Sequence, residues 1–301
     1  NWNRGWGVNF NYARARTERI PTVDLSCEDS GLVFRLAEKG QGPQLRVNVD
    51  AQLRGDVPVH NTLAEIRGSR LPDEYVVLSA HFDSWDGASG ATDNGTGTAT
   101  MMEAMRILKQ VYPRPRRTIL VGHWNGEEQG LNGSRAFVAD HPEIVKGVQA
   151  LFNQDNGTGR IENVSMQGFT RAEGYFSRWF SRLPQELVKE IKVTAPGTPS
   201  TGGSDHSAFL CAEVPAFMLG SRSWDYGTYT WHTNRDTYDK VVFDDLRRNA
   251  TLIAMLAYLA AEEPERVSRE RRTDLVNTLT GQAGVWPECQ QPARSAAQST
   301  R

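Results

Sequence analysis

Two histidines and four carboxylates carry the chemistry open to this sequence: His81, Asp93, the adjacent pair Glu127 and Glu128, Asp155 and His232. Imidazole and carboxylate are borderline-to-hard donors that suit zinc better than soft copper(I). Counting one of the adjacent glutamates, the set holds two imidazoles and three carboxylates, and that number points to two Zn2+ ions sharing a bridging carboxylate. Asp93 is the expected bridge. It lies in the small-residue turn Thr92-Asp93-Asn94-Gly95, which lets the backbone come close to a metal. Two zinc ions roughly 3.5–4 Å apart can share a hydroxide, polarise a carbonyl and stabilise the oxyanion that forms on attack. That is machinery for amide hydrolysis.

Glu127 and Glu128 repel each other as neighbours. Binding one to metal removes much of that cost and leaves the other free as general base, taking a proton from water and handing it to the leaving amine. Asp83, two residues after His81, and Asp236, four after His232, are placed to hold the ligand imidazoles in the right tautomer.

These residues need elements to converge on. From about Asn61 the sequence alternates apolar strand, glycine-rich turn and amphipathic helix, the pattern of an α/β sheet protein. Strands are predicted at Tyr75–Ala80, Thr118–His123, Val148–Asn153 and Ala216–Leu219. Helices are predicted at Gly97–Val111, Gly133–Ala139, Tyr175–Lys189 and Asp244–Ala261, the last with a core-facing stripe of Leu246, Ala250, Ile253, Leu256 and Leu259. His81, Glu127-Glu128 and Asp155 each follow a strand, and Asp93 opens a helix. Ligands of open α/β sheets bind beyond the carboxyl ends of the strands, so these loops can meet in one crevice. A lone His-x-Asp or Glu-Glu pair arises often by chance, and the weight lies in their common placement. His60, His123 and His141 lack such partners and read as ordinary core or surface histidines.

The first 58 residues read as β-rich, with Thr22-Val23-Asp24-Leu25 and an alternating, half-buried strand over Leu45–Leu53, separated by a short helix at Ser30–Glu38. Residues 59–265 form the main α/β unit. Residues 266–301 are a polar extension expected to become disordered from about Gly281. The 301 residues carry a formal net charge of −2 with both signs interspersed, which argues against nucleic acid and anionic membranes as partners. No apolar run approaches the ~18–20 residues of a membrane span. Cys27, Cys211 and Cys289 are few, odd in number and far apart, so no disulfide framework is expected. The start at Asn1, with neither initiator Met nor leader, suggests a processed or incomplete chain.

The segments His81-Phe82-Asp83-Ser84-Trp85, Gly90-Ala91-Thr92-Asp93-Asn94-Gly95, Glu127-Glu128-Gln129-Gly130-Leu131-Asn132-Gly133-Ser134, Asp155, Ser204-Asp205-His206 and His232-Thr233-Asn234-Arg235-Asp236-Thr237 resemble, in order and spacing, the co-catalytic zinc exopeptidases of metallopeptidase family 28. That family includes bacterial aminopeptidases and glutamate carboxypeptidases, and the wording around His81 and over Asn61–Gly68 is most similar to the latter group. The resemblance implies a three-layer α/β/α sandwich with a mixed, mainly parallel sheet. It places His81 and Asp155 on one zinc, Glu128 and His232 on the other, Asp93 between them and Glu127 as base. It also implies that the β-rich start is the last part of an inserted protease-associated domain, that the substrate is a peptide or dipeptide, that the protein is exported, and that a homodimer is among its assemblies.

One departure stands out. Several relatives carry a Tyr directly before the last zinc-binding His, where this sequence has Trp231. The oxyanion donor is therefore open among Trp231, Tyr229 and His206. Two other functions compete: a single-zinc, glutaminyl-cyclase-like acyltransferase, and a non-catalytic receptor-like module that has lost its ligands. Arg135, Arg222 and Arg235 are the residues that could face a substrate carboxylate.

Overall fold

Every residue of the strand Arg117–Trp124 is buried, which requires both faces of its sheet to be covered. The computed structural model describes residues 23, 25–50, 52, 57–85, 87–276 and 281–294. The seven strands are β1 (Thr62–Ile66), β2 (Leu71–His81), β3 (Arg117–Trp124), β4 (Val148–Asn153), β5 (Ile161–Ser165), β6 (Lys192–Thr194) and β7 (Ala216–Ser221). They form one sheet in the order β1-β3-β2-β4-β7-β5-β6. The central run β3-β2-β4-β7 is parallel, while β1 on β3 and β5 on β7 pair antiparallel. The expected mixed, mainly parallel sheet is what the chain forms.

The helices are α1 (Cys27–Glu38), α2 (Thr96–Val111), α3 (Asn132–Asp140), α4 (Pro142–Gly147), α5 (Ala172–Phe180), α6 (Gln185–Val188), α7 (His206–Leu210) and α8 (Phe243–Glu262). α2 packs along α8 and α3 along α7, and these pairs flank the sheet as the outer layers. α8 carries Asp244 and Asp245 in its first turn, where the helix dipole favours negative charge. At its other end the buried Arg117 donates to the carbonyls of Ala261 (3.0 Å) and Glu263 and pairs with Glu74 at 2.7 Å. Carbonyls that the helix leaves unpaired are thereby satisfied. Among the described residues no helix is long and apolar enough to cross a membrane.

Four expectations need correction. The helix predicted over Tyr175–Lys189 ends at Phe180 and resumes at Gln185, because Pro184 lacks the N–H that a continuing helix needs. The strand predicted over Leu45–Leu53 is absent from residues 45–50, where Leu45, Val47 and Val49 stay exposed; alternation makes a strand only where another strand pairs with it. Ala51, Leu53, Thr22 and Asp24 lie outside the described residues, and Val23 and Leu25 are exposed and in no strand. Cys211 and Cys289 form a disulfide across 78 residues, Cα to Cα 4.9 Å, a pairing that spacing alone does not reveal. Closing a loop of that length is worth about 4 kcal/mol in the chain-entropy view. Finally, residues 281–294 are not a free tail. Trp286 packs edge-on to Phe169 and donates to the Leu210 carbonyl at 2.7 Å.

Candidate metal centre

Three neighbouring parallel strands deliver the first ligands. β2 ends on His81, β4 runs out two residues before Asp155, and β3 ends four residues before Glu128. Under this rim lies a buried polar chain. Trp124 Nε1 donates to Ser79 Oγ (2.8 Å), Ser79 to Asn153 Oδ1 (2.6 Å), and Asn153 Nδ2 to Ser204 Oγ (2.8 Å). It ties β3, β2, β4 and the 204 loop together immediately beneath the ligands, so the strand ends cannot drift apart without breaking buried hydrogen bonds.

Asp93 comes from the turn Ala91–Gly95 that precedes α2. Gly90 enters this turn at φ +60°, and a Cβ there would lie 2.3 Å from Ser84 Cβ. Only glycine permits that approach. Asp236 then fixes the turn: one carboxylate oxygen accepts from the Thr92 N–H and hydroxyl, both at 2.7 Å, and the other from the Asp93 N–H at 2.8 Å. His232 arrives on a loop at φ +55°, left-handed backbone that a non-glycine residue adopts at a cost. Its ring is stacked by Trp231, centroids 4.0 Å apart.

The ligand atoms gather in three trios, of which His81–Asp93–Asp155 and Asp93–Glu128–His232 share Asp93, while His81–Glu127–Glu128 brings the neighbouring glutamate beside them. His81 Nε2 lies 3.1 Å from Asp155 Oδ1 and 3.2 Å from Asp93 Oδ1. His232 Nε2 lies 3.0 Å from Glu128 Oε2 and 3.4 Å from Asp93 Oδ2. Within each of the trios His81–Asp93–Asp155 and Asp93–Glu128–His232 the ligand atoms fall within 4.8 Å of one another. Asp93 thus turns one oxygen to each histidine. Its Oδ2 is buried without a hydrogen bond, a costly state for a carboxylate unless a cation completes it.

The electrostatics agree with a missing positive charge. Burial drives the Asp93 carboxyl up to about 6 and that of Glu128 up to about 8, with Asp155 adding to both shifts. Glu127 is pushed well above the usual range, first by burial and then by Asp155, Asp205 and Glu128, against the pull of His81. For His81 burial opposes the charge, yet Asp155, Asp83 and Asp93 outweigh it and hold the imidazole well above its ordinary value. Divalent cations relieve this crowding, and the donor set of two imidazoles and three carboxylates is one that zinc accepts.

Of the supporting residues, Asp83 and Asp236 differ from expectation. The His81 Nδ1 bond is to the Asp83 main-chain carbonyl at 3.0 Å, while the Asp83 carboxylate, 3.6 Å from that nitrogen, accepts the N–H groups of Glu127 and Glu128 at 3.2 Å each. Asp83 therefore holds both the first histidine and the glutamate turn. Asp236 does not reach the His232 ring; its oxygens are taken up by the Asp93 turn, and His232 Nδ1 has no hydrogen-bond partner among the described residues.

The site opens onto a cleft of about 710 Å³ lined by Glu127, Arg135, Tyr226 and Trp231 besides Asp93, Glu128, Asp155 and His232. Tyr229 and His206 do not line it. Tyr229 is exposed with the Arg235 guanidinium over its ring, and His206 is buried behind Asp155, where loss of solvent lowers it to about 4. Tyr226 is not among the donors the sequence suggests, Trp231, Tyr229 and His206. Its ring lies against Gly157, and burial, then Asp93, Asp155 and Glu128, hold its phenol protonated. A protonated phenol is a hydrogen-bond donor.

The profile of peptidase family M28 matches residues 61–257, which contain every residue of this centre. The chain belongs to the M28 peptidases. Carboxypeptidase Q of Rattus norvegicus is 28% identical over 251 residues, covering 83% of this chain and 52% of that protein. The chain thus spans about half the length of the curated relatives it matches. Among solved structures, an M28 peptidase precursor from Shewanella amazonensis superposes with a TM-score of 0.62 at 28% identity, over 69% of this chain and 46% of that one. A zinc aminopeptidase from Bacillus subtilis, at 23% identity and a TM-score of 0.54 over 70% of this chain and 52% of that one, shares the M28 fold.

Proposed function

We propose that this chain is the catalytic part of a two-zinc exopeptidase that hydrolyses a terminal peptide bond of peptides or dipeptides. The observation that carries the reading is Asp93, whose two oxygens face two different histidines, each backed by a further carboxylate. His81, Asp155 and Asp93 would hold one zinc, His232, Glu128 and Asp93 the other. Zinc bound there supplies Lewis acidity toward water and the scissile carbonyl.

The chain's own residues do the rest. Glu127 makes no ion pair among the described residues and faces the cleft, free to take a proton from the attacking water and return it to the leaving nitrogen. Tyr226 donates its O–H toward the oxygen that gains charge, a contact stronger in the transition state than in the ground state. Asp83 and Asp236 keep the glutamate turn and the bridging aspartate in place. The cleft falls within the ~300–1,000 Å³ usual for small ligands. The disulfide Cys211–Cys289 supports an extracytoplasmic location, since such bonds persist in oxidising compartments.

The test is Glu127→Gln, assayed for peptide hydrolysis and for metal by elemental analysis. The expected protein retains two zinc ions per chain and loses about 10²–10⁴ in kcat. Unchanged turnover would remove Glu127 from the role of base. One zinc per chain would instead favour the single-zinc acyltransferase.

A further inference from the structure

Two arginines that follow each other in the chain are treated differently by the fold. Arg117 is buried and fully engaged, by Glu74 and by the carbonyls at the end of α8. Arg116 makes no ion pair, and its Nε is buried without a hydrogen-bond partner among the described residues, a costly state for a charged donor. Arg70 and Arg114 likewise make no ion pair or side-chain hydrogen bond among the described residues. These three arginines line one cavity of about 490 Å³ together with Ser69 and Glu262. The Glu262 carboxylate is taken by the Tyr112 phenol.

The cavity stands on stiff backbone. Arg70 ends the turn between β1 and β2, and Arg114 and Arg116 lie on the short link from α2 to β3. Pro113 and Pro115 flank Arg114 and lock φ on both sides of it. The turn is tied to the link: the Ser69 N–H and hydroxyl donate to the Pro115 carbonyl at 2.7 and 2.9 Å, and the Arg70 and Leu71 N–H groups to that of Arg116 at 3.2 and 2.9 Å. The Arg116 N–H in turn donates to the Tyr112 oxygen at 3.0 Å. Gly68 permits this approach, since a Cβ there would lie 2.7 Å from the Thr118 nitrogen. The three guanidiniums are thus anchored on main chain that has little freedom left to lose on binding. Three positive charges against the single negative one of Glu262 leave an excess of two, and forks spread around a cavity suit a ligand with more oxygens than a carboxylate offers. We propose that this cavity binds a tetrahedral oxyanion of the phosphate class, free or as a monoester. It is a second site, apart from the peptide cleft: β2 runs eleven residues from Leu71, next to Arg70, to the metal-binding His81, roughly 33 Å at the usual rise per residue.

Calorimetry on the zinc-loaded protein tests this, with inorganic phosphate and glycerol 3-phosphate as probes and sodium chloride at the same ionic strength as the blank. Arg116→Gln should weaken phosphate by roughly ten- to a hundredfold, the weight of hydrogen bonds to a charged partner. The double variant Arg70→Gln/Arg114→Gln should do the same, and both of its positions are exposed, so its folding is not at stake. Phosphate that goes to zinc stays bound in these variants, so the difference between the proteins reads the cavity alone. Peptide hydrolysis should stay within about twofold in each variant, because the metal centre is remote. Phosphate should also raise the unfolding temperature of the original protein more than that of either variant. Binding of both probes assigns the site to the free ion as well as the ester, and binding of the ester alone assigns it to a phosphorylated ligand. Affinity that is equal in the original protein and both variants overturns the proposal, as does the absence of binding by either probe. A signal that sodium chloride reproduces at equal ionic strength also overturns it, and shows the three arginines to be only a solvated basic face.

Discussion

The two halves of the centre are built differently. On the His81 side, the histidine ends a central strand, is 1% exposed, and its Nδ1 is tied to the Asp83 carbonyl. On the His232 side, the histidine rides a loop in left-handed backbone, its Nδ1 has no partner among the described residues, and an aromatic stack rather than a hydrogen bond steadies the ring. The first half is held by the sheet and would keep its shape without metal. The second relies on packing and on what it binds. Asp93 joins them, and Asp236 holds Asp93 from behind.

Asp93→Ala removes the one residue both halves need. Zinc content should fall from two ions to none retained through dialysis, and peptide hydrolysis should drop to background; retention of one tight ion at the His81 side would show that half to be self-sufficient and sharpen the contrast. Asp236→Asn is the next largest. The amide that replaces one carboxylate oxygen would point a donor at the N–H of Thr92 or Asp93, and the loosened turn should weaken zinc by about 10–100-fold, measured by competition with a chelator. An affinity unchanged within threefold would remove Asp236 from support of the bridge. Trp231→Ala should act only on the His232 half, with an effect up to about tenfold, the worth of one aromatic contact. Loss of both ions in that variant would mean the halves are not separable.

Much of this was legible in the sequence because catalytic groups at strand ends inherit their positions from strands. The apolar run Val76–Ala80 predicts a strand, and His81 follows it; Ala150–Phe152 and Asp155 obey the same rule. Residues placed by loops were harder. Tyr226 lies six positions before His232, just ahead of Gly227-Thr228-Tyr229-Thr230, with no periodicity to aim it, while Tyr229 and Trp231 stand nearer to His232 in sequence. Asp83 does hold His81, but through its carbonyl, and the Asp236 carboxylate goes to the Asp93 turn instead of His232: spacing places a carboxylate near a histidine, but main-chain N–H groups compete for it. The Cys211–Cys289 pair joins α7 to a terminal segment whose polar composition read as disorder, and only Trp286 hinted that it packs. The alternation over Leu45–Asp50 misled in the opposite direction, since no partner strand stands beside it among the described residues.

The central claim is that Asp93 bridges two ions. Crystals grown with zinc and measured on both sides of its absorption edge test it directly. The account predicts two anomalous peaks about 3.5–4 Å apart, one on each oxygen of Asp93, with His81 and Asp155 around the first and Glu128 and His232 around the second. A single peak, or two peaks that do not share Asp93, would contradict it.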